Sequence, residues 1–193
     1  GEERKSMDCL IRLSPGRTLP PFITDLTGIT PEQLEAEGVE KQTATEQFCG
    51  LLEGCGAPLL VAYNAQFDLN FLYHFLRPFG RADVLRAPRF LDVLTVYRDR
   101  RAFPHRLASA IEAYNLQDQV QNSHRAIDDV LATVAVLEAM AAERDDLTHY
   151  INLFGYNARY GLEGKPISSV TYRPQGYEPG RPLYEQMVLS PLT

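Results

Sequence analysis

The sequence predicts an α/β domain, and three observations carry that expectation. Strand-like and helix-like stretches alternate along the chain, the order that produces parallel pairing. The run "PLLVAY" at 58–63 is short and nearly all apolar, as in a strand buried on both faces. A long helical pattern, "HRAIDDVLATVAVLEAMAAE", places Ile127, Val130, Leu131, Val134, Leu137 and Ala141 at three- and four-residue spacing.

The elements follow in order. "MDCLIRL" at 7–13 alternates loosely and predicts a strand, closed by the turn signal "SPG". In "ITPEQLEAEG", Thr30 is the expected N-cap, Pro31 the first helical residue and Gly38 the stop. "TATEQFCGLLEGCG" predicts a helix opened by a capping box between Thr43 and Glu46. Residues 65–79 predict a helix with Phe67, Phe71, Leu72, Phe75 and Leu76 on its apolar side. "RFLDVLTVYRD" (89–99) reads as a short strand turning into a helix at Asp92, and "HRLASAIEAYNL" as a further helix. From about 147 the texture changes: six of the ten tyrosines fall in a Gly- and Pro-rich stretch with little period. Two parts are expected, 1–146 and an irregular C-terminal extension, 147–193.

Composition sets limits. At 193 residues, 45% hydrophobic and 23% charged, the chain suits one globular domain with an appendage. A formal net charge of −6 argues against coating nucleic acid through bulk positive charge, though not against a local groove. Cys9, Cys49 and Cys55 suggest neither a disulfide framework nor a zinc site. No apolar run approaches the ~18 residues of a membrane span, and "GEERKSMDCL" lacks a signal peptide's apolar segment. The expected setting is cytoplasmic, away from membranes.

Four features carry chemistry. Asp68 and Asp92 each sit at a strand-to-helix junction, and His124 precedes Asp128 and Asp129 at the opening of the long helix. The helix dipole alone, at ~0.3–1 kcal/mol for each acidic residue, explains any one of them. Together they suggest more. Carboxylates at strand ends converge on the face where open α/β sheets bind ligands. Crowded carboxylates repel unless a cation screens them, and oxygen ligation favours Mg²⁺ or Mn²⁺. A histidine beside such a site can deprotonate water near neutral pH.

At these residues the chain resembles the DnaQ-like 3′–5′ exonucleases of the DEDDh group, which includes the epsilon proofreading subunit of bacterial DNA polymerase III. "NAQFD" resembles the family's second motif, with Asp68 its acidic residue, and "HRAIDD" the third, with His124 and Asp129. "LPPFITDLTGIT" and "FLDVLTVYR" are similar to family segments before and after the second motif, which makes Asp92 a structural or site-edge residue. The resemblance covers roughly residues 8–142. It implies an RNase H-like fold, a mixed sheet flanked by helices, with His124 as general base and Asp68 and Asp129 as metal ligands of a two-Mg²⁺ or two-Mn²⁺ site. It implies hydrolysis at single-stranded 3′ ends of DNA or RNA, with a DNA polymerase subunit as a possible partner. Family spacing from His124 selects Asp129 over Asp128; helical periodicity does not separate the two.

One departure matters. The family's first motif, D-x-E, occurs nowhere in these residues. The expectation is a chain that begins beyond its first strand, with impaired activity and a bare sheet edge that favours self-association. A divergent member that lost the motif, acting as a non-catalytic nucleic-acid- or polymerase-binding module, is the alternative.

Between 77 and 106, eight arginines face three aspartates. This stretch is either a solvated surface or a track for phosphates. Tyr63, Asn64 and Phe67 at the NAQFD turn, with Arg98 and Arg101, are the candidate nucleic-acid contacts.

Overall fold

Two prolines, Pro58 and Pro88, precede two four-residue strands, β1 (Leu59–Ala62) and β2 (Arg89–Asp92). In the computed structural model, which describes residues 5–120, 125–154, 171–172 and 180–186, they pair in parallel with Leu59 opposite Arg89 and Ala62 opposite Asp92. β1 leads through Tyr63 and Asn64 into α4 (Ala65–Leu76), and β2 runs directly into α5 (Val93–Arg100). Both helices therefore begin at the same end of the sheet.

Before the sheet come α1 (Pro21–Thr27), α2 (Pro31–Ala36) and α3 (Lys41–Gly54). After it come α6 (Leu107–Ala113) and α7 (Ala126–Glu143), then β3 (Leu153–Phe154), β4 (Thr171–Tyr172) and α8 (Leu183–Gln186). β3 and β4 form a second parallel pair. The ladders among the described residues are thus all parallel, in a helix-rich α/β fold consistent with the RNase H-like class. No helix among them is long and apolar enough to cross a membrane.

β2 is the covered strand. Phe90 packs with Cys49, Leu69, Leu85 and Phe154 on one side of the sheet. Its neighbour Leu91 packs with Val96, Val136 and Tyr150 on the other, the alternation that strand geometry imposes. The outer edge of β2 is closed by Asn152. Its backbone N–H donates to Phe90 O (2.7 Å), and its side-chain Oδ1 accepts from Phe90 N–H (2.9 Å).

Several expectations change. Residues 7–13 form no strand: they make one parallel bridge, Ile11 to Val39, through Arg12 N–H to Val39 O (2.9 Å) and Val39 N–H to Leu10 O (2.8 Å). Gly38 permits that approach, because a Cβ there would stand 2.9 Å from Arg12 N and 2.2 Å from Leu34 O. The capping box at Thr43 is not formed, since α3 starts earlier, at Lys41 after Glu40. Arg12 holds Glu40 in an ion pair (2.9 Å), and Lys41 Nζ donates to Ser14 Oγ (2.8 Å), so long-range contacts fix that helix start. The Thr30 box does form, reciprocally with Gln33.

β1 is not buried on both faces: Leu59 and Val61 are exposed. Among the described residues it pairs only with β2, so the opposite edge is open and does not take up residues 7–13. On α4, Phe67 and Phe71 face solvent, while Ala65, Leu69 and Leu76 go inward. On α7, Val130, Leu131 and Val134 are about half open, and Ala132, Thr133, Val136 and Met140 form the buried face. Both helices carry apolar residues on more than one side, so periodicity alone could not say which side packs. The C-terminal stretch joins the core: Tyr150, Leu153, Phe154 and Leu183 are all buried.

Candidate metal and nucleic-acid site

The turn between β1 and α4 is held by one carboxylate. Asn64 takes a left-handed conformation (φ 72°, ψ 50°), which asparagine tolerates better than most residues. The Asn64 and Ala65 N–H groups donate to Asp92 Oδ1 at 2.9 and 3.1 Å. The same oxygen accepts from Leu94 N–H (3.2 Å), while Oδ2 accepts from the Thr95 hydroxyl (2.7 Å). Asp92, buried at the end of β2, therefore caps α5 and clamps the start of α4. Four donors satisfy it, which marks a positioning role rather than a vacant ligand.

Asp68 lies one helical step beyond that clamp, in the first turn of α4. The residue stays open to solvent while its carboxyl group is crowded by protein. That desolvation, aided by the nearby negative charge of Asp92, pushes its pKa up to about 6. A cation would relieve both penalties.

Asp129 lies in the first turn of α7. Its N–H donates to Arg125 O (3.0 Å), and its carbonyl accepts from the Thr133 hydroxyl (2.7 Å). Three and four residues before the buried Ala132 and Thr133, it shares the inward side of α7, and its Oδ1 is buried. Asp128 instead lines a groove of about 530 Å³ with Gln117, Asp118, Val120, Leu131 and Glu138. The buried face of α7 thus separates two aspartates that the expected stripe could not. His124 lies outside the described residues. Among those described, no three His, Cys, Asp or Glu side chains gather into a metal cluster.

The candidate nucleic-acid contacts divide. Asn64 and Phe67 are exposed beside the clamp. Tyr63 is half-buried; its hydroxyl donates to His105 O (2.9 Å), and its ring meets Tyr97 at 6.5 Å. Arg98 stands near enough to act electrostatically on Tyr63. Arg101 is engaged elsewhere, bonded to Glu143 (2.5 Å) and lying 5.0 Å over the Tyr114 ring. Arg81, Arg86 and Arg100 are also in ion pairs, with Glu53, Asp83 and Asp146 respectively. Four of the eight arginines of 77–106 thus meet carboxylates of the fold itself. Phe103, between α5 and α6, is exposed within this basic stretch.

Comparison with known proteins bears on the family. Residues 1–137 match the RNase T exonuclease family. A PolC-type DNA polymerase III from Clostridium perfringens is 29% identical over 126 residues, covering 65% of this chain and 8% of that protein. The 3′-5′ exonuclease DinG of Staphylococcus aureus is 31% identical over 131 residues, 65% of this chain and 13% of its own length. The chain thus spans only about a tenth of the length of these relatives. With most of its residues matched, the chain belongs to the RNase T exonuclease family.

Proposed function

We propose that this chain is the nuclease portion of a metal-dependent 3′–5′ exonuclease that shortens single-stranded ends, DNA by preference, in the cytoplasm. The observation that carries the proposal is Asp68: an ionisable carboxyl, desolvated and set beside a second negative charge, at the ligand-binding end of a parallel sheet. The PolC-type relative supports a working partnership with a DNA polymerase. Residues 1–146 form the catalytic part and 147–193 an extension.

Asp68 and Asp129 supply oxygen donors suited to Mg²⁺ or Mn²⁺, and two carboxylates fit an ion that keeps several waters. Such an ion, when bound, stabilises negative charge on the scissile phosphate. His124 takes a proton from the attacking water on a ring nitrogen. Asp92 keeps the α4 start rigid so that Asp68 points consistently, and Asn64 and Phe67 meet the terminal nucleotide. Without a D-x-E pair, this chain is a weak nuclease by itself.

The test is shortening of a 5′-labelled single-stranded oligonucleotide in Mn²⁺. Slow loss from the 3′ end, abolished by D68N and by H124A, is expected. Shortening that survives both substitutions would contradict the proposal. Robust turnover abolished by H124A would show that another carboxylate, Asp92 or Asp128, serves as a ligand. A second reading, a non-catalytic nucleic-acid- or polymerase-binding module, is favoured by the lack of a three-carboxylate cluster among the described residues. Binding without any shortening supports it.

A further inference from the structure

Phe103 is the most exposed large apolar side chain among the described residues, with 85% of its surface open. It stands at the tip of the loop 101–106, between α5 and α6, in the sequence "RAFPHR". The loop is tied down on both sides of that tip. His105 Nε2–H donates to Arg101 O (3.0 Å), which closes the loop on itself. The His105 ring packs edge-on against Tyr97 at 5.8 Å and against Phe103 at 5.9 Å. Finally, His105 O accepts the Tyr63 hydroxyl (2.9 Å), so the loop is fastened to the residue directly before the NAQFD turn.

A fixed loop that leaves one phenyl face bare is not explained by the core. An exposed phenylalanine has a cost in solubility, and here its edge contact with His105 leaves most of the ring in water. Arg106, exposed next to it, gives the tip a positive flank, which selects an anionic partner with a flat apolar part. An unpaired base on its phosphate backbone has that chemistry, because every base presents a π-face to an aromatic ring. Position agrees with this. Arg101 lies one α5 length from Asp92, about 12 Å for eight helical residues, so the tip is set back from the reaction centre.

We propose that Phe103 is a stacking platform for an unpaired base one or more nucleotides inward from the 3′ terminus, with Arg106 against the adjoining phosphate. This deepens the nuclease proposal above and rests on it for the identity of the strand. It sets a minimum length: a strand too short to reach the loop loses the contact.

The sequence contains no tryptophan, so F103W places a single indole reporter at the tip. Binding is measured in EDTA, where no hydrolysis occurs, by titrating oligothymidylate and following both indole fluorescence and anisotropy of a labelled strand. Saturable quenching of F103W is expected with oligothymidylate, and little with an abasic strand of equal length. F103A is expected to bind oligothymidylate about tenfold more weakly than the wild type, within the range one stacked base contributes, and F103W to restore the affinity. The abasic strand is expected to bind F103A and wild type alike. Equal affinity of F103A and wild type for oligothymidylate, or equal quenching by the abasic strand, overturns the proposal and points to a protein contact at this loop. Failure of the wild type to bind either strand overturns it too. Loss of hydrolysis with stacking retained would instead count only against the catalytic reading.

Discussion

At Asp68 a carboxylate is kept where ionisation is unfavourable, and the sign of the resulting pH dependence follows. Its folded pKa, about 6, lies above the ordinary carboxylate value near 3.8. Below the lower value both folded and unfolded states hold the proton, and no penalty exists. Between the two the unfolded chain ionises first, so stability is lost as pH rises through this window. Above about 6 the penalty is complete. D68N, neutral throughout, should therefore be more stable than wild type at pH 7.5 in EDTA, with the gain vanishing near pH 4. Thermal melts across this range check it; a D68N that melts at or below the wild-type temperature at pH 7.5 would contradict the assignment. Burial raises the pKa of Asp92 as well, and the four donors around it oppose that rise without cancelling it. Its junction position was legible in the sequence. Its role as the clamp was not, because two of its partners come from a turn 27 and 28 residues earlier.

The helices show why only part of the packing could be read from the sequence. α2 obeyed its local signals, with Thr30 and Pro31 in the expected roles and Gln33 completing a capping box. α3 did not: it starts two residues before Thr43, at Lys41, beside a contact between Glu40 and Arg12, 28 residues upstream. In α7, Ala132 lets neighbours approach closely, while the bulkier Val130, Leu131 and Val134 stay outward. A stripe of large residues is the obvious pattern, but small residues can mark the tighter contact. The C-terminal elements carry a stronger surprise. Arg100, nearly inaccessible, pairs with buried Asp146 and donates to Met140 O at 2.7 Å, joining α5 to α7 and to the segment before β3. Asp99 accepts from the Tyr150 hydroxyl (2.6 Å) and from Leu183 N–H (2.7 Å), fastening α8 to α5. R100A leaves Asp146 buried with its main partner removed, and should cost about 3–5 kcal/mol in urea unfolding. A loss under ~1 kcal/mol, the ordinary worth of a surface pair, would show that this network is dispensable.

Over the described residues of the molecule, apolar surface and backbone are left open together. Among the described residues β1 has a bare edge and exposes Leu59 and Val61 on one face, and α4 and α7 each turn apolar side chains outward. Such an edge is a template for pairing. The chain is expected to self-associate with rising concentration in sedimentation velocity, and V61K to reduce that association without lowering the melting temperature. A monodisperse monomer at high concentration would contradict it. The exonuclease class was legible because its motifs are local and ordered along the chain; the occupancy of this edge was not, since it depends on what lies beside β1. We infer that Asp68 and Asp129 form the metal-binding half of a nuclease site, with Asp128 outside it. The most direct test is Mn²⁺ titration followed by electron paramagnetic resonance, comparing wild type with D68N, D129N and D128N. Binding is expected for wild type and D128N, and its loss in both D68N and D129N. Equal binding by all four proteins, or loss in D128N with retention in D129N, would contradict it.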